Sequence, residues 1–405
     1  DTINIKDKEF KVFFDKDNFK LHIENDYRRD VEEYFYDKKI VTIPHYILFI
    51  DTDGIYNSSS IEYNVYYYIK CDYISFSPNN IDTIILKSQN ITQLVYNKEQ
   101  DEKKNYNYSF TFNDSKFNVT FRSSNKINLS KYYQVSDVSC IKIDIEKCED
   151  WNSFNKIIQS VLNMLSIIFL SEAIKNCSIS IETTDQRNIG EICFSKKYDE
   201  EKFCGGLGNF FIFSNFINKI INTLYETPYI NLDFIPKYKS TYNNFDYFSL
   251  YSCFEYEYSK IDKKKLYTKE ELQNLEVAEQ LKKDVAKLVN ENLKDVSSHF
   301  TRYLSNYNPL EGHRQKLING VNYAYSFIGS RLEDLLPPST KEDFTTYIYK
   351  TRIKVVHNPN SDFKIEKTFA VSMFAEIIYA LFLKRCEISN ADLTKLLNDV
   401  LIPYV

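Results

Sequence analysis

Tyr349-Lys350-Thr351-Arg352-Ile353-Lys354-Val355-Val356-His357-Asn358-Pro359 is the stretch from which the C-terminal fold is read. Pro359 disfavours helical geometry at Asn358, so a helix that carries Arg352 ends at His357 or just past it. At about 100° per residue, the five steps from Arg352 to His357 turn by about 500° and leave the two side chains about 140° apart. The pair converges only if the helix end unwinds or if a second copy of the motif faces the first. A histidine titrates near neutrality and serves as general acid or base. A permanently charged arginine grips a phosphate and stabilises the added charge of a pentacoordinate phosphorus. RNA carries its own nucleophile in the 2′-hydroxyl, so the pair suits RNA and needs no metal or cofactor. Against that stands an ordinary reading, since cations are expected in a last helical turn, where they oppose the dipole.

Outward from this stretch the chain reads as a helical bundle. Ser339-Thr340-Lys341-Glu342 is a capping-box pattern that opens the Arg352 helix, and Thr268-Lys269-Glu270-Glu271 opens an earlier one. The earlier helix carries Leu272, Leu275, Val285, Leu288, Val289 and Val296 among alternating charges. His313 starts a helix that runs to about Leu336 and is halted by Pro337-Pro338. Phe363 to Cys386 is strongly apolar, and Asn390-Ala391-Asp392 caps a short last helix. Four longer helices with short connections predict antiparallel neighbours in a bundle.

The segment Asp343-Phe344-Thr345-Thr346-Tyr347-Ile348-Tyr349-Lys350-Thr351-Arg352, leading into Val355-Val356-His357-Asn358, resembles the C-terminal half of a HEPN domain. So does the helix that ends Ala380-Leu381-Phe382-Leu383-Lys384-Arg385-Cys386-Glu387-Ile388-Ser389. The likeness is to the ApeA-like HEPN proteins of bacterial abortive infection and covers roughly residues 265–405. It implies an all-helical domain, dimerisation and metal-independent endoribonuclease activity on tRNA or another structured host RNA. The family motif, Arg-x4–6-His, maps onto Arg352 and His357. Many members carry a polar residue after the arginine, where this chain has Ile353. Asn358 or Thr351 is the candidate to take over that role, and Lys354 to help neutralise phosphate. His299 and His313 lie in the bundle without a motif; they read as structural, with His313, at a helix start, the one placed to reach the cleft. The resemblance also leaves open a non-catalytic dimerisation, RNA-binding or antitoxin-type module.

Residues 1–145 read mostly as short strands. Tyr108–Phe112 and Phe117–Phe121 alternate with period two around Asn113-Asp114-Ser115-Lys116, a hairpin signal. Phe10–Phe14, Lys20–Ile23, Ile40–Ile43, Tyr46–Ile50, Tyr63–Ile69, Asp82–Leu86 and Ile141–Ile145 are further strands, so a sandwich or curved antiparallel sheet is expected. His22 and His45 lie in that strand region and read as structural or surface residues. From Trp151 the pattern is mixed: an apolar helix through Lys175, a strand at Cys177–Ile181, a helix at Phe210–Leu224, then an aromatic-rich segment from Tyr238 to Tyr256. Cys204-Gly205-Gly206-Leu207-Gly208 lacks the Gly-Lys-Ser/Thr ending of a phosphate loop and reads as a turn. The fold class is therefore α+β, with a β-rich domain at 1–150, a mixed connecting region at 151–262 and the helical bundle at 263–405. The N-terminal two-thirds is the candidate sensor or restraint, and a phage-encoded protein the candidate trigger.

The net charge of −5 argues against a nonspecific nucleic-acid coat, though not against a local basic cleft. The 33 Tyr and 30 Phe accompany abundant Ile, Asn and Lys, the mark of an AT-rich genome, so the tyrosines alone are not evidence for base stacking. The eight cysteines form no CxxC pair, which gives no zinc or redox motif. No signal-peptide core is visible, and polar residues interrupt the apolar stretch Ile157 to Ala173, so a cytoplasmic protein with reduced thiols and no membrane span is expected.

Overall fold

Period-two alternation becomes burial alternation along Ser60–Cys71, where every odd-numbered residue from Ile61 to Cys71 is buried. The computed structural model describes residues 2–5, 8–24, 40–51, 55–56, 60–71, 78–87, 105–112, 115–122, 140–145, 148–175, 177–182, 188–194, 212–227, 230–236, 242–292, 312–335, 340–357 and 368–401. These residues fall into two compact units, 1–229 and 230–405. The expected connecting region 151–262 is shared between them.

The first unit is built on strands β1 (Thr2–Ile5), β2 (Lys8–Asp15), β3 (Lys20–Glu24), β4 (Ile40–Ile43), β5 (Tyr46–Ile50), β6 (Ile55–Tyr56), β7 (Ser60–Cys71), β8 (Thr83–Lys87), β9 (Asn105–Phe112), β10 (Ser115–Arg122), β11 (Cys140–Ile145), β12 (Ser178–Glu182) and β13 (Asn188–Phe194). All join one antiparallel sheet in the order β1-β2-β3-β7-β13-β12-β8-β11-β10-β9, with β5 and β6 paired to β7 and β4 paired to β5. The expected hairpin is present as β9–β10, with Phe112 opposite Ser115. Between β4 and β5 the turn passes through His45 at φ 64°, a left-handed conformation that is costly for a residue with a Cβ. Gly190 lets β13 approach β7, because a Cβ there would meet Lys70 O at 3.0 Å.

Helix α1 (Trp151–Phe169) starts at Asp150, whose side chain accepts from Ser153 N–H at 2.7 Å, and stops at Leu170 in the left-handed region. The sequence reading carried it to Lys175. Instead a separate 3-10 turn covers Glu172–Lys175. Asn155 lies buried on α1 and accepts from the Tyr67 hydroxyl at 2.6 Å, while Phe49 stacks on Tyr67 at 4.1 Å, so α1 packs on the β5–β7 face. Helix α2 (Ile217–Glu226) packs against α1.

The second unit holds α3 (Asn244–Ser259), α4 (Lys269–Asn292), α5 (His313–Leu335), α6 (Lys341–His357), α7 (Thr368–Arg385) and α8 (Asn390–Val400). The four-helix expectation needs correcting here. Helix α4 begins at the expected Thr268–Glu271 capping box, yet Leu275 is its one buried residue among those described. The helix that packs with α5, α6 and α7 is α3, from the aromatic segment assigned to the connecting region. It has its own capping box, Asn243 with Asp246. α3 also makes an intimate crossing with α5 at Gly320, where a Cβ would lie 2.7 Å from Phe254. Two buried ion pairs tie the bundle. Arg331 on α5 meets Glu376 on α7 through Nε, while Nη1 donates to Asn398 at 2.9 Å and Nη2 to the Leu401 carbonyl at 3.3 Å. Arg385 on α7 forks onto both oxygens of Glu257 on α3, each at 2.8 Å. No described helix is long and apolar enough to cross a membrane. No disulfide joins the described cysteines. Cys204, the neighbouring glycines, His299 and Ser339 lie outside the described residues.

Candidate functional site

Helix α6 turns Phe344, Ile348, Thr351 and Val355 inward, at i, i+4, i+7 and i+11. That stripe fixes the rotation of the helix and leaves Arg352 half-buried at its margin. The α3 side of the contact is also specified. Tyr247 is fully buried and donates its hydroxyl to the Ile348 carbonyl, one turn before Arg352. Tyr251, one turn further along α3, lies beneath the Arg352 guanidinium, 5.1 Å from ring centroid to Cζ. Its hydroxyl donates to the His313 carbonyl at 3.2 Å and so holds the first residue of α5 in place. Burial pushes both phenols above their ordinary value, with neighbouring Glu255 adding to the effect at Tyr251. Both therefore remain neutral donors at physiological pH.

These constraints bring three charged or titratable groups from three helices into a row. Arg352 Nη2 on α6 lies 2.8 Å from His313 Nε2 on α5. His313 Nδ1 lies 2.6 Å from Glu255 Oε1 on α3. Beside them is a cleft of about 140 Å³, lined by Tyr247, Phe248, Tyr251, Glu255, Arg352 and Val356. Such a row can hold an anion at the guanidinium and move a proton through the imidazole. No described group of three or more His, Cys, Asp or Glu residues is arranged to hold a metal ion.

The residues singled out in the sequence are placed as follows. Arg352 reaches the cleft. His357 is exposed in the last turn of α6 and makes no hydrogen bond or ion pair with another described residue. The helix continues through it without unwinding, so one chain does not bring His357 to Arg352. Thr351 is buried and its hydroxyl donates to the Tyr347 carbonyl at 2.9 Å, which turns it away from the cleft. Lys354 lies on the exposed face of α6 and does not line the cleft. Asn358 lies outside the described residues. Glu255 and Tyr251 were not singled out as site residues. A signal for them exists in the spacing Tyr247, Tyr251, Glu255, at i, i+4 and i+8, which sets a carboxylate at the end of an aromatic stripe. His22 sits 3.7 Å from Glu62 on the sheet, far along the chain from this cluster and in the other unit.

Comparison with protein-family models, curated proteins and solved structures finds no match for this chain.

Proposed function

We propose that this protein is a metal-independent endoribonuclease of the HEPN type that cleaves host RNA, with tRNA the expected class, during bacterial defence against phage. The observation that carries the reading is Arg352: a guanidinium braced on an aromatic ring at the edge of a cleft, in contact with an imidazole. Arg352 holds the scissile phosphate and stabilises the charge that develops on it. The 2′-hydroxyl of the RNA attacks the phosphorus, and the products carry a 2′,3′-cyclic phosphate and a 5′-hydroxyl. His357, on the same helix and exposed, acts on a phosphate bound to a second copy of the chain, which makes a homodimer the working form. The N-terminal unit restrains the nuclease until a phage product releases it.

The test is incubation of the purified protein with labelled tRNA in excess chelator, with the cut ends mapped. Cyclic phosphate and 5′-hydroxyl ends are expected, with a rate about 100-fold lower in Arg352→Ala. Cleavage that is unaffected by Arg352→Ala removes the arginine from the chemistry and the reading with it. A second reading is favoured by the apolar rim of the site, where Phe248 and Val356 are 55% and 41% exposed. There the domain is a non-catalytic pairing module, and the same assay returns RNA bound but intact.

A further inference from the structure

We infer that His313 and Glu255 are the proton-transfer pair of this site, His313 as the base beside Arg352 and Glu255 as the residue that positions it. The inference rests on the proposed phosphodiester chemistry at Arg352 and changes which histidine serves it within one chain.

The hydrogen-bond inventory points to one tautomer of the imidazole. Arginine offers five donors and no acceptor. With Nη2 at 2.8 Å from His313 Nε2, that nitrogen must present its lone pair. The ring proton is then on Nδ1, which donates to Glu255 Oε1 at 2.6 Å. His313 thus turns one nitrogen to the phosphate-gripping group and anchors the other on a carboxylate. A carboxylate in that place selects the tautomer and stabilises the imidazolium that forms when the base takes up a proton.

A purely structural ion pair explains the arrangement less well. Glu255 and Arg352 both line the cleft, yet they are linked through an imidazole from a third helix. That imidazole is 45% exposed, so it is open to a substrate. His357 has no described group to fix its tautomer.

The step balances within the site. RNA phosphate takes the place of His313 at the Arg352 guanidinium and frees Nε2. The 2′-O–H proton passes to Nε2 as the O2′–P bond forms. The P–O5′ bond breaks, and the leaving 5′-oxygen takes a proton from His357 of the partner subunit, which regains one from solvent. His313 returns its proton to solvent.

Two measurements on the full-length chain test the inference. The first is a two-bond proton–nitrogen correlation spectrum of histidine-labelled protein, with His313 assigned by its loss in His313→Gln. The Nδ1–H tautomer is expected in the wild type and in Glu255→Gln, which keeps an acceptor, and a mixture is expected in Glu255→Ala. The second is the tRNA cleavage rate in variants whose melting temperature matches the wild type. His313→Ala is expected to lose about 100-fold, with part recovered by added imidazole, and Glu255→Ala to lose less. An Nε2–H tautomer in the wild type overturns the inference. So does cleavage at the wild-type rate by His313→Ala. Wild-type protein that cuts no RNA removes the nuclease reading itself, and the proton-transfer role with it. An active wild type with an unimpaired His313→Ala removes only the assignment to His313.

Discussion

Arg331 shows what a single buried charge does in this bundle. Glu376 is 2% exposed, and Arg331 is its partner in the interior. Replacing Arg331 with Met leaves that carboxylate buried and unpaired, a loss on the order of 3–5 kcal/mol. Urea unfolding of Arg331→Met should shift its midpoint accordingly, while Arg331→Met/Glu376→Leu should recover much of the loss. The thiols give a second residue-level expectation. Burial pushes Cys148, Cys177 and Cys253 up to about 12. Thiolate is the reactive form, so iodoacetamide at pH 8 should leave these three unmodified in native protein and label them after denaturation, as read by peptide mass spectrometry. Arg352 was legible as a candidate because its chemistry and spacing are local, and the structure sets it at a cleft. His313 was marked only by its place at a helix start and Glu255 not at all, because a sequence gives rotation about one helix axis and says nothing about which three helices meet.

Among the elements, the α3–α5 crossing sets the site. Gly320 is on α5, two turns after His313, and any larger side chain there must displace the buried Phe254 ring. Helix propensity favours Ala over Gly by about 1 kcal/mol, but overpacking costs about 1–3 kcal/mol. Gly320→Ala should therefore lower the melting temperature despite improving the helix. Helix α4 depends on its cap more than its packing. Hydrogen bonds from Thr268 hold the Glu271 carboxyl below its ordinary value. A depressed carboxylate stabilises the fold above its unfolded pKa, near 4.5, and that contribution is lost as pH falls through the lowered folded value. The protection factors of amides in the first turn of α4 should accordingly fall on acidification, and Glu271→Gln should abolish that fall. Capping boxes and the β9–β10 hairpin were readable because both are short-range patterns. The role of α3 was harder to read: aromatics fill both its buried stripe, Tyr247, Leu250, Tyr251 and Phe254, and its exposed side, at Phe245 and Phe248, so hydropathy did not mark which face packs.

For the whole molecule, residues 230–405 form a unit with its own buried core and both buried ion pairs. That segment expressed alone should give a helical circular dichroism spectrum and a cooperative melt, and a flat thermal trace would show that it needs the first unit to fold. Alternation predicted the strands of the first unit well, yet not their order, since pairing partners are distant in sequence. The path β1-β2-β3-β7 and the path β8-β11-β10-β9 are linked, among the described strands, through the hairpin β12–β13. That hairpin occupies residues 178–194, after every other strand has been made. On the ribosome, two half-sheets therefore wait with open edges, at Tyr67–Cys71 on one and along β8 on the other, until the joining hairpin emerges. Open edges recruit other chains. A nascent chain arrested near residue 150 should bind chaperones and aggregate on release, whereas one arrested past residue 229, once clear of the tunnel, should close the sheet and stay monodisperse.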